Sequence, residues 1–509
     1  MPEKIRVRFA PSPTGPLHLG GVRTALFNYL FARQHGGSFI LRIEDTDRQR
    51  LVEGAEQYIL DSLKWCGITF DEDILKGGLY APYRQSDRLS VYKTYIGGLI
   101  DRGHAYYAFD SPAELDEMRR RAQEIGSGQF QYSYLLRPHL KNSLSLSLKE
   151  VTERLNNHDP FVVRIRIPED EFVVFKDIIR GEVKVHTSTL DDKVLFKSDG
   201  FPTYHLANVV DDYLMKITHV IRGEEWLPSA PMHLLLYRFF GWEEKMPQFA
   251  HLPLILKPDG NGKLSKRDGD RLGFPVFPLS WTDPVSNEIF HGYREDGYLP
   301  EAFINMLALL GWNPGTEKEL FSMPELINTF SLEKVGKHGS KFDPEKAKWF
   351  NHQYLSQKPL DELLILTKNL LKEHSVSSRD DYILKVLSLT RDRAILIGDL
   401  WKNSWFFFQA PQTYDELSVT KIWQPQTSAI VRDFAKEVSP FVEFTEKKLH
   451  EAATVFTQRK EIKMGMLMTP LRLLMVGSNQ GPGIMDIIEI LGKSEFLSRI
   501  EAGLNKLGY

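Results

Sequence analysis

Residues 5–21 read IRVRFAPSPTGPLHLGG and contain three structural signals in a row. Residues 5–9 alternate as a strand does, and residues 11–16 are rich in proline and glycine, as loops are. Apolar residues then recur at helical spacing from Gly21 to His35, and Phe39–Ile43 predicts a second strand. This order begins a doubly wound α/β domain, in which ligands bind beyond the carboxyl ends of the strands.

A second block of this type spans residues 199–256. It contains two strand-like runs on either side of a helix-like run: Ile217–Arg222, Ser229–Phe240 and Phe249–Leu256. The intervening residues 106–198 are more polar and carry β-branched runs, which favours an inserted α+β domain. From about residue 300 onward the pattern predicts an all-α region, with helical runs at Glu301–Leu310, Leu360–Lys372 and Tyr382–Asp399.

Composition restricts the class of protein. The chain has 509 residues, 42% of them hydrophobic and 26% charged, so we expect several globular domains. Cys66 is the only cysteine, which excludes an intrachain disulfide and a thiolate zinc cage. No run approaches the roughly 18 apolar residues of a membrane span, and the first residues lack a signal-peptide core, so we expect a cytoplasmic protein without a membrane contact. The net charge of −3 neither supports nor excludes a nucleic-acid partner.

The loop before the first helix predicts an anion-binding site. Backbone N–H groups at a helix start, left open by Gly20 and Gly21, can hold a phosphate. The imidazole of His18 can donate to charge that grows on that phosphate. The alternative is a turn with a chance histidine, and this motif alone does not decide between the two.

A second loop reads GKLSKR at residues 262–267. Its two lysines and one arginine can close over the β- and γ-phosphates of ATP and neutralise departing pyrophosphate. By itself, a loop of this composition is more often a solvated basic surface.

Two acidic stretches lie at the expected ligand edge of the sheet, RIEDTD at residues 42–47 and DGFPTYHLANVVDD at residues 199–212. Their aspartates can ligate a metal ion or cap helices: Asp45, Asp47, Asp211 and Asp212. Capping is the commoner role, and we expect it here.

In this order, the motifs resemble those of the class I aminoacyl-tRNA synthetases. The family signatures His-x-Gly-His and Lys-Met-Ser-Lys-Ser are relaxed here to HLGG and KLSKR. Together, RFAPSPTGPLHLGG, RIEDTD, DGFPTYHLANVVDD, VIRGEEW and KLSKR are similar to the glutamyl-tRNA synthetases of bacteria and organelles in particular. The resemblance is dense over residues 5–270 and looser beyond them. Each motif is weak to moderate alone, and the ordered set is specific.

The resemblance implies a Rossmann-type catalytic domain with an inserted α+β acceptor-stem domain and an all-α anticodon-binding region. The implied segments are the first catalytic half (residues 1–105), the inserted domain (106–198), the second catalytic half (199–256), a KLSKR-loop and stem-contact domain (257–345) and the helical anticodon-binding domains (346–509). Residues 273–291 look like an insertion that a minimal member of the family would not need.

The implied activity is ATP-dependent ligation of L-glutamate to the 3′-terminal adenosine of its tRNA, through glutamyl-adenylate. By similarity, ATP would be bound by His18, Gly20, Glu225, Lys263, Leu264, Ser265, Lys266 and Arg267. Among these, the catalytic residues would be His18, Lys263 and Lys266. Glutamate would be bound by Arg8, Ser12, Glu44, Tyr204, Asn208 and Arg222. Glutamate has two carboxylates and one ammonium group. Arg8 and Arg222 can bind the carboxylates through two N–H groups each, and Glu44 and Ser12 can accept hydrogen bonds from the ammonium. We expect Arg8 on the side-chain carboxylate, although the pairing of the two arginines with the two carboxylates stays open.

The resemblance also implies cofactors and partners. Mg²⁺ would arrive with ATP and be held mainly by phosphates and water, with no metal site built from protein side chains. No zinc is expected, because the inserted domain lacks the cysteines that some relatives use to bind it. The partners would be L-glutamate and tRNA for glutamate, with tRNA for glutamine an open alternative, and we expect a monomer.

Four rival interpretations fit part of the pattern. Another nucleotidyltransferase would share the first loop but would not need the long helical region. A glutaminyl-tRNA synthetase would favour a β-barrel anticodon domain, and a short paralogue that glutamylates a tRNA base would lack an anticodon domain altogether. A catalytically inactive tRNA-binding relative would not need to retain Arg8, His18, Glu44 and Lys266 together.

Overall fold

The computed structural model describes residues 4–124, 130–265, 268–269, 271 and 273–508. The chain forms two compact units. Unit 1 comprises the residues up to Glu295 together with Phe303–Pro344, and unit 2 comprises Asp296–Ala302 together with the residues from Glu345 onward. An α/β first part followed by an all-α last part is confirmed. The finer division into five segments remains a prediction.

Unit 1 holds the strands and about half of the helices that the structure describes. The strands are β1 (Arg6–Phe9), β2 (Ser38–Leu41), β3 (Ala105–Ala108), β4 (Val162–Ile165), β5 (Phe172–Asp177), β6 (Gly181–His186), β7 (Val194–Phe196), β8 (His219–Gly223), β9 (Gln248–Leu252), β10 (Ile255–Leu256), β11 (Trp281–Thr282), β12 (Ile289–Phe290) and β13 (Ser340–Lys341). The helices are α1 (Leu19–Gln34), α2 (Ala55–Trp65), α3 (Leu89–Asp101), α4 (Pro112–Glu124), α5 (Leu148–Asn156), α6 (Tyr204–Leu214), α7 (Ala230–Phe240), α8 (Pro300–Leu309, whose first three residues are counted in unit 2) and α9 (Met323–Thr329).

A mostly parallel sheet organises unit 1. Strand β1 pairs with β2, and β8 pairs with β9, both in parallel. Thr218 joins the two pairs, because its N–H donates to the carbonyl oxygen of Arg6 (2.9 Å) and its hydroxyl oxygen accepts from the Arg6 N–H (2.9 Å). Strand β5 extends the sheet in parallel beside β9, and β6 is antiparallel at the edge. The carboxyl ends of β1, β2, β8 and β9 therefore meet at one edge of the sheet, as doubly wound folds require.

Helix α1 lies against this sheet and is buried around most of its circumference. It begins at Leu19 and ends at Gln34, close to the predicted Gly21–His35. Asn28 ties it to the sheet, since its Nδ2 donates to the carbonyl oxygen of Ile221 in β8 (3.0 Å). The start of α1 is thereby held next to the carboxyl ends of the strands.

Residues 106–198 contain an antiparallel sheet in the order β3-β4-β7 beside helices α4 and α5, which agrees with an α+β segment. Its small core includes Tyr106, Leu115, Tyr132 and Leu140. Strands β5 and β6 also lie in this part of the sequence, but they join the mostly parallel sheet beside β9.

Residues 273–291, predicted as an insertion, contain the antiparallel pair β11–β12. Trp281 packs edge-on against Tyr58 of α2, with ring centroids 5.2 Å apart, and the Tyr58 hydroxyl donates to the carbonyl oxygen of Leu279. The hairpin is therefore anchored on the body of unit 1.

Unit 2 is helical. Its helices are α10 (Pro344–Gln357), α11 (Leu360–Glu373), α12 (Asp380–Thr390), α13 (Asp399–Lys402), α14 (Trp405–Phe408), α15 (Glu416–Ile422), α16 (Thr427–Val438), α17 (Glu446–Arg459), α18 (Gly465–Val476) and α19 (Ile484–Leu507, interrupted at Gly492). Among the described residues, no helix is both long and apolar enough to span a bilayer.

The prediction of one helix over Tyr382–Asp399 is wrong. Helix α12 ends at Thr390, a 3-10 helix follows over Arg391–Arg393, and the next α-helix begins at Asp399. The Asp399 carboxylate accepts the N–H groups of Ile395 and Leu396, both at 2.9 Å, and so stabilises a loop where the apolar pattern continued. Local side-chain capping of this kind competes with helix.

Candidate active site

A cleft of about 1200 Å³ opens at the carboxyl edge of the parallel sheet. Every predicted site residue that the structure describes lines it: Arg8, Ser12, His18, Gly20, Glu44, Tyr204, Asn208, Arg222, Glu225, Lys263, Leu264 and Ser265. Lys266 and Arg267, also predicted, lie outside the described residues. The convergence follows from topology, because β1, β2 and β8 point their carboxyl ends at the same space.

His18 caps helix α1 with its side chain. Its Nδ1 accepts the N–H of Gly20 at 3.0 Å. In a neutral imidazole the proton then sits on the other nitrogen, so Nε2–H is the donor of this ring. Gly20 makes the arrangement possible, because a Cβ there would lie 2.9 Å from Cε1 of His18.

The start of α1 is less open than the sequence suggested. The N–H of Leu19 donates to the carbonyl oxygen of Val276 (3.0 Å), and the N–H of Gly20 donates to His18. Two of the helix-start donors expected to hold a phosphate thus have partners within the protein. Val276 also lines the cleft, and nothing in its local sequence marked it as a wall residue.

Asp268 contacts the described part of the second loop. Its carboxylate accepts the N–H of Ser265 (3.0 Å) and lies 3.1 Å from Nζ of Lys257. The Ser265 hydroxyl and the Lys257 ammonium lower the pKa of Asp268 to about 2. At the cleft, Nζ of Lys263 lies 3.1 Å from Oε1 of Glu225. Burial alone would raise the pKa of Glu225, but hydrogen bonding and the Lys263 charge bring it below its usual range.

Buried arginines and acids form the floor of the cleft. Asp212 accepts Nε of Arg8 (3.1 Å) and Nη1 of Arg42 (2.7 Å). Nη2 of Arg42 in turn donates to Oε1 of Glu44 (3.0 Å), which also accepts Nδ2 of Asn208 (3.1 Å). Burial raises the pKa of Glu44, although Arg42 and Arg8 oppose the shift. The network fixes Arg8 through Nε and leaves its two terminal nitrogens without a hydrogen bond to any described residue.

The capping prediction is wrong for Asp211 and Asp212. Both lie inside α6, and Asp211 accepts Nε of Arg88 (2.7 Å), Nε2 of Gln85 (2.9 Å) and the Tyr92 hydroxyl (2.8 Å). The reason is burial, since a carboxylate in the interior requires cationic or hydrogen-bonding partners.

The other two aspartates differ from each other. Asp45 accepts the N–H of Ser86 at 2.8 Å, in the first turn of the 3-10 helix Gln85–Arg88. Asp47 precedes the 3-10 helix Arg48–Arg50 but makes no side-chain capping bond. Within the described ranges, no cluster of three or more His, Cys, Asp or Glu side chains is placed to hold a metal ion.

Arg222, the penultimate residue of β8, contacts residues that sequence reasoning missed. Its Nη1 donates to the Tyr204 hydroxyl (2.9 Å), and its Nε donates to Nε2 of His251 (3.0 Å). His251 faces Arg222 because β9 runs parallel to β8 with these two residues in register. The FAHLPLI pattern at residues 249–255 marks a strand, but a register between two strands is not encoded in either one alone.

Buried histidines make the stability of the protein depend on pH. Burial lowers the pKa of His205 and of His219 to about 4 each. Between pH 6.5 and 4 these two histidines therefore bind fewer protons in the folded chain than in the unfolded chain, so the stability that they contribute is lost as the pH falls through this window. We expect a lower Tm at pH 4.5 than at pH 7 in calorimetry. His219→Gln should reduce the difference, whereas replacing the exposed His139 should not, and equal Tm values at both pH values would contradict this.

Comparison with known proteins agrees with this geometry. The family model described as tRNA synthetases class I (E and Q), catalytic domain, matches residues 4–349, and the model described as Anticodon binding domain matches residues 360–504. The glutamate–tRNA ligase of Phocaeicola vulgatus is 54% identical over 505 residues, which cover 99% of each chain. That of Amoebophilus asiaticus is 52% identical over 504 residues, which cover 99% of this chain and 98% of the relative.

A solved structure extends the similarity to three dimensions. The crystal structure of a glutamate tRNA ligase from Elizabethkingia meningosepticum in complex with its amino acid superimposes with a TM-score of 0.96. It is 50% identical in sequence, and the match covers 99% of this chain and 100% of that one. The chain therefore belongs to the class I tRNA synthetases of the glutamate and glutamine type and, within them, to the glutamate–tRNA ligases.

Proposed function

We propose that the cleft of unit 1 activates L-glutamate with ATP and then transfers the glutamyl group to the 3′-terminal adenosine of tRNA for glutamate. The observation that best supports this is the convergence of a cationic fork, a buried carboxylate, a capping histidine and a lysine loop on one cleft. The helical unit 2, which includes the matched anticodon-binding segment, would read the same tRNA. We expect a monomeric enzyme of the cytoplasm.

Glutamate would bind over the buried floor of the cleft. Arg8 offers its two terminal nitrogens to the side-chain carboxylate, because Asp212 occupies only its Nε. Arg42 and Asn208 hold Oε1 of Glu44, so Oε2 is left for the substrate ammonium. Burial raises the pKa of Glu44, and the positive charge of the bound ammonium would favour the ionised form of this carboxyl group. Ser12, Tyr204, Asn208 and Arg222 would complete the pocket.

ATP would lie along the start of α1 and the loop at residues 262–267. An α-carboxylate oxygen of glutamate attacks the α-phosphorus, the bond to the bridging oxygen of the β-phosphate breaks, and pyrophosphate leaves. The protein contributes position and charge, with no covalent intermediate of its own. His18 Nε2, Lys263 and Lys266 would stabilise negative charge on the phosphates, while Gly20, Glu225, Leu264, Ser265 and Arg267 would frame the nucleotide.

We expect no metal ion held by protein side chains alone in this cleft. Asp47 and Asp199 lie near cations, 3.7 Å from Arg50 and 2.8 Å from Lys197 respectively. A Mg²⁺ ion brought by ATP would neutralise phosphate charge and would take most of its ligands from phosphates and water. In the second step, the 2′-hydroxyl of the tRNA adenosine attacks the glutamyl carbonyl carbon, and AMP leaves.

Pyrophosphate exchange tests this function. We expect exchange that requires glutamate, is not supported by glutamine, and rises sharply when tRNA for glutamate is added. The physical basis is a tRNA that binds the reactive arrangement of ATP more tightly than the unreactive one. Strong exchange without tRNA would contradict the gating, and no glutamate-dependent exchange with tRNA would contradict the function. Aminoacylation of purified tRNAs for glutamate and for glutamine then measures discrimination between them.

A further inference from the structure

Arg222 is a buried cation whose partners are all neutral. The residue is only 4% exposed. Its guanidinium donates four hydrogen bonds, to His251 Nε2 (3.0 Å), the Tyr204 hydroxyl (2.9 Å), His233 Nδ1 (3.3 Å) and the carbonyl oxygen of Trp226 (3.3 Å). Within the part of the chain that the structure describes, it forms no ion pair. Arginine has five N–H groups, so these four bonds leave about one for a ligand.

Two other buried arginines at the floor of the cleft, Arg8 and Arg42, are different. Arg8 and Arg42 share Asp212, and Arg42 also contacts Glu44. A buried ion without a counter-ion is costly, and the cost is removed when an opposite charge arrives. Arg222 therefore favours an anion in the cleft more strongly than a paired arginine would.

The directions of the hydrogen bonds follow from arginine being a donor only. Nε2 of His251 must accept, so its proton is on Nδ1, which donates to Asp177 (2.6 Å). Nδ1 of His233 must also accept, so its proton is on Nε2, which donates to Nδ1 of His205 (3.2 Å). Both rings are neutral in this arrangement, and burial lowers the pKa of each.

The two neutral imidazoles therefore occupy the positions beside the Arg222 guanidinium at which carboxylates would form ion pairs with it. Asp177, the carboxylate of this network, is separated from the guanidinium by the full width of the His251 ring. It is held in place by the N–H groups of Ile179 (2.9 Å) and Arg180 (2.8 Å). The Tyr204 oxygen accepts from Arg222, so its own proton is left to donate into the cleft that it lines.

We propose that His233 and His251 are positioning residues that keep Arg222 without a protein counter-ion, so that a carboxylate of the amino-acid substrate supplies one. Neither ring lines the cleft, so both act through Arg222. The inference rests on the proposed function of the cleft and deepens it, because it assigns part of the affinity for glutamate to two side chains that do not touch the substrate.

A matched pair of variants at His233 tests the proposal. Asparagine places an oxygen near the position of Nδ1 and can still accept from Arg222. Aspartate has the same shape but supplies the carboxylate that the wild type withholds. In tRNA-saturated pyrophosphate exchange, we expect His233→Asn to change KM for glutamate by at most about threefold, and His233→Asp to raise it by about 30-fold or more. In both variants, kcat and KM for ATP should change little.

Asp177→Asn provides a second test that does not place a new charge inside the protein. Its oxygen can still accept from Ile179 and Arg180, but its amide would donate to Nδ1 of His251 and move the ring proton to Nε2, facing Arg222. KM for glutamate should rise here as well. His219→Gln is the control. His219 is a buried histidine on β8, the strand that carries Arg222, but it bonds to Thr218 (2.9 Å) and lies outside the network.

Competition with substrate analogues identifies the carboxylate. Glutamol lacks the α-carboxylate, and glutamine lacks the side-chain carboxylate. If Arg222 pairs with the α-carboxylate, His233→Asp should weaken the binding of glutamine but not of glutamol. If Arg222 pairs with the side-chain carboxylate, the same variant should weaken the binding of glutamol but not of glutamine. Equal KM values in the two His233 variants, an unchanged KM in Asp177→Asn, or equal losses for both analogues would overturn the inference. A wild-type enzyme without glutamate-dependent exchange would instead overturn the proposed function.

Discussion

Arg8→Gln is expected to reduce glutamate activation by about 30- to 5000-fold, which corresponds to a loss of about 2–5 kcal/mol for one partner of a buried charge pair. Arg8 is 3% exposed and its orientation is set by Asp212 at 3.1 Å. A glutamine cannot present two parallel N–H groups to a carboxylate. The substitution also leaves Asp212 and Glu44 with Arg42 as the nearest remaining cation, so the pocket becomes more negative where the substrate is negative.

The measurement is glutamate-dependent pyrophosphate exchange in the presence of tRNA. Arg6→Gln is the matched control, because Arg6 lies two residues away on β1 and pairs with Glu72 at 2.7 Å, outside the cleft lining. We expect Arg6→Gln to affect Tm more than activity, and Arg8→Gln to affect activity far more than Arg6→Gln does. Wild-type exchange in Arg8→Gln would remove Arg8 from the glutamate pocket.

His18→Asn is expected to slow adenylate formation by about 10²- to 10³-fold, the usual loss when one transition-state hydrogen-bond donor is removed. Asparagine is a good helix cap and can still accept the N–H of Gly20, but it has no group at the position of Nε2. His18→Ala removes both functions, and should add a stability loss of about 1 kcal/mol to the same loss of rate.

Comparing the two variants separates the cap from the donor. Single-turnover adenylate formation at saturating ATP gives the rate, and thermal unfolding gives the stability. If His18→Asn formed adenylate at the wild-type rate while His18→Ala did not, the histidine would serve only to cap α1, and the proposed role of Nε2 would be wrong.

Local sequence was sufficient to predict the elements around the cleft. Alternation over residues 5–9, helical spacing from Gly21 and the apolar run at Phe39 each follow from the geometry of a single element. Parallel strands bring their carboxyl ends together in any doubly wound fold, so the acidic stretch at residues 42–47 was expected at the ligand edge of the sheet. The family resemblance, not the topology, placed Arg8 and Arg222 beside it. The ordered motifs added the family and its reaction, which no single motif determined.

The partners of those residues depended on tertiary structure. Asp212 was expected to cap a helix, but the packing of α6 buries it between Arg8 and Arg42. His251 meets Arg222 only through the register of β8 and β9, and Val276 reaches the start of α1 from a segment more than 250 residues away in sequence. Periodicity and capping signals act within one element, so a sequence shows which face of a strand or helix is buried. Which charge or carbonyl lies opposite that face is decided by register and packing between distant segments, and those exist only in the folded chain.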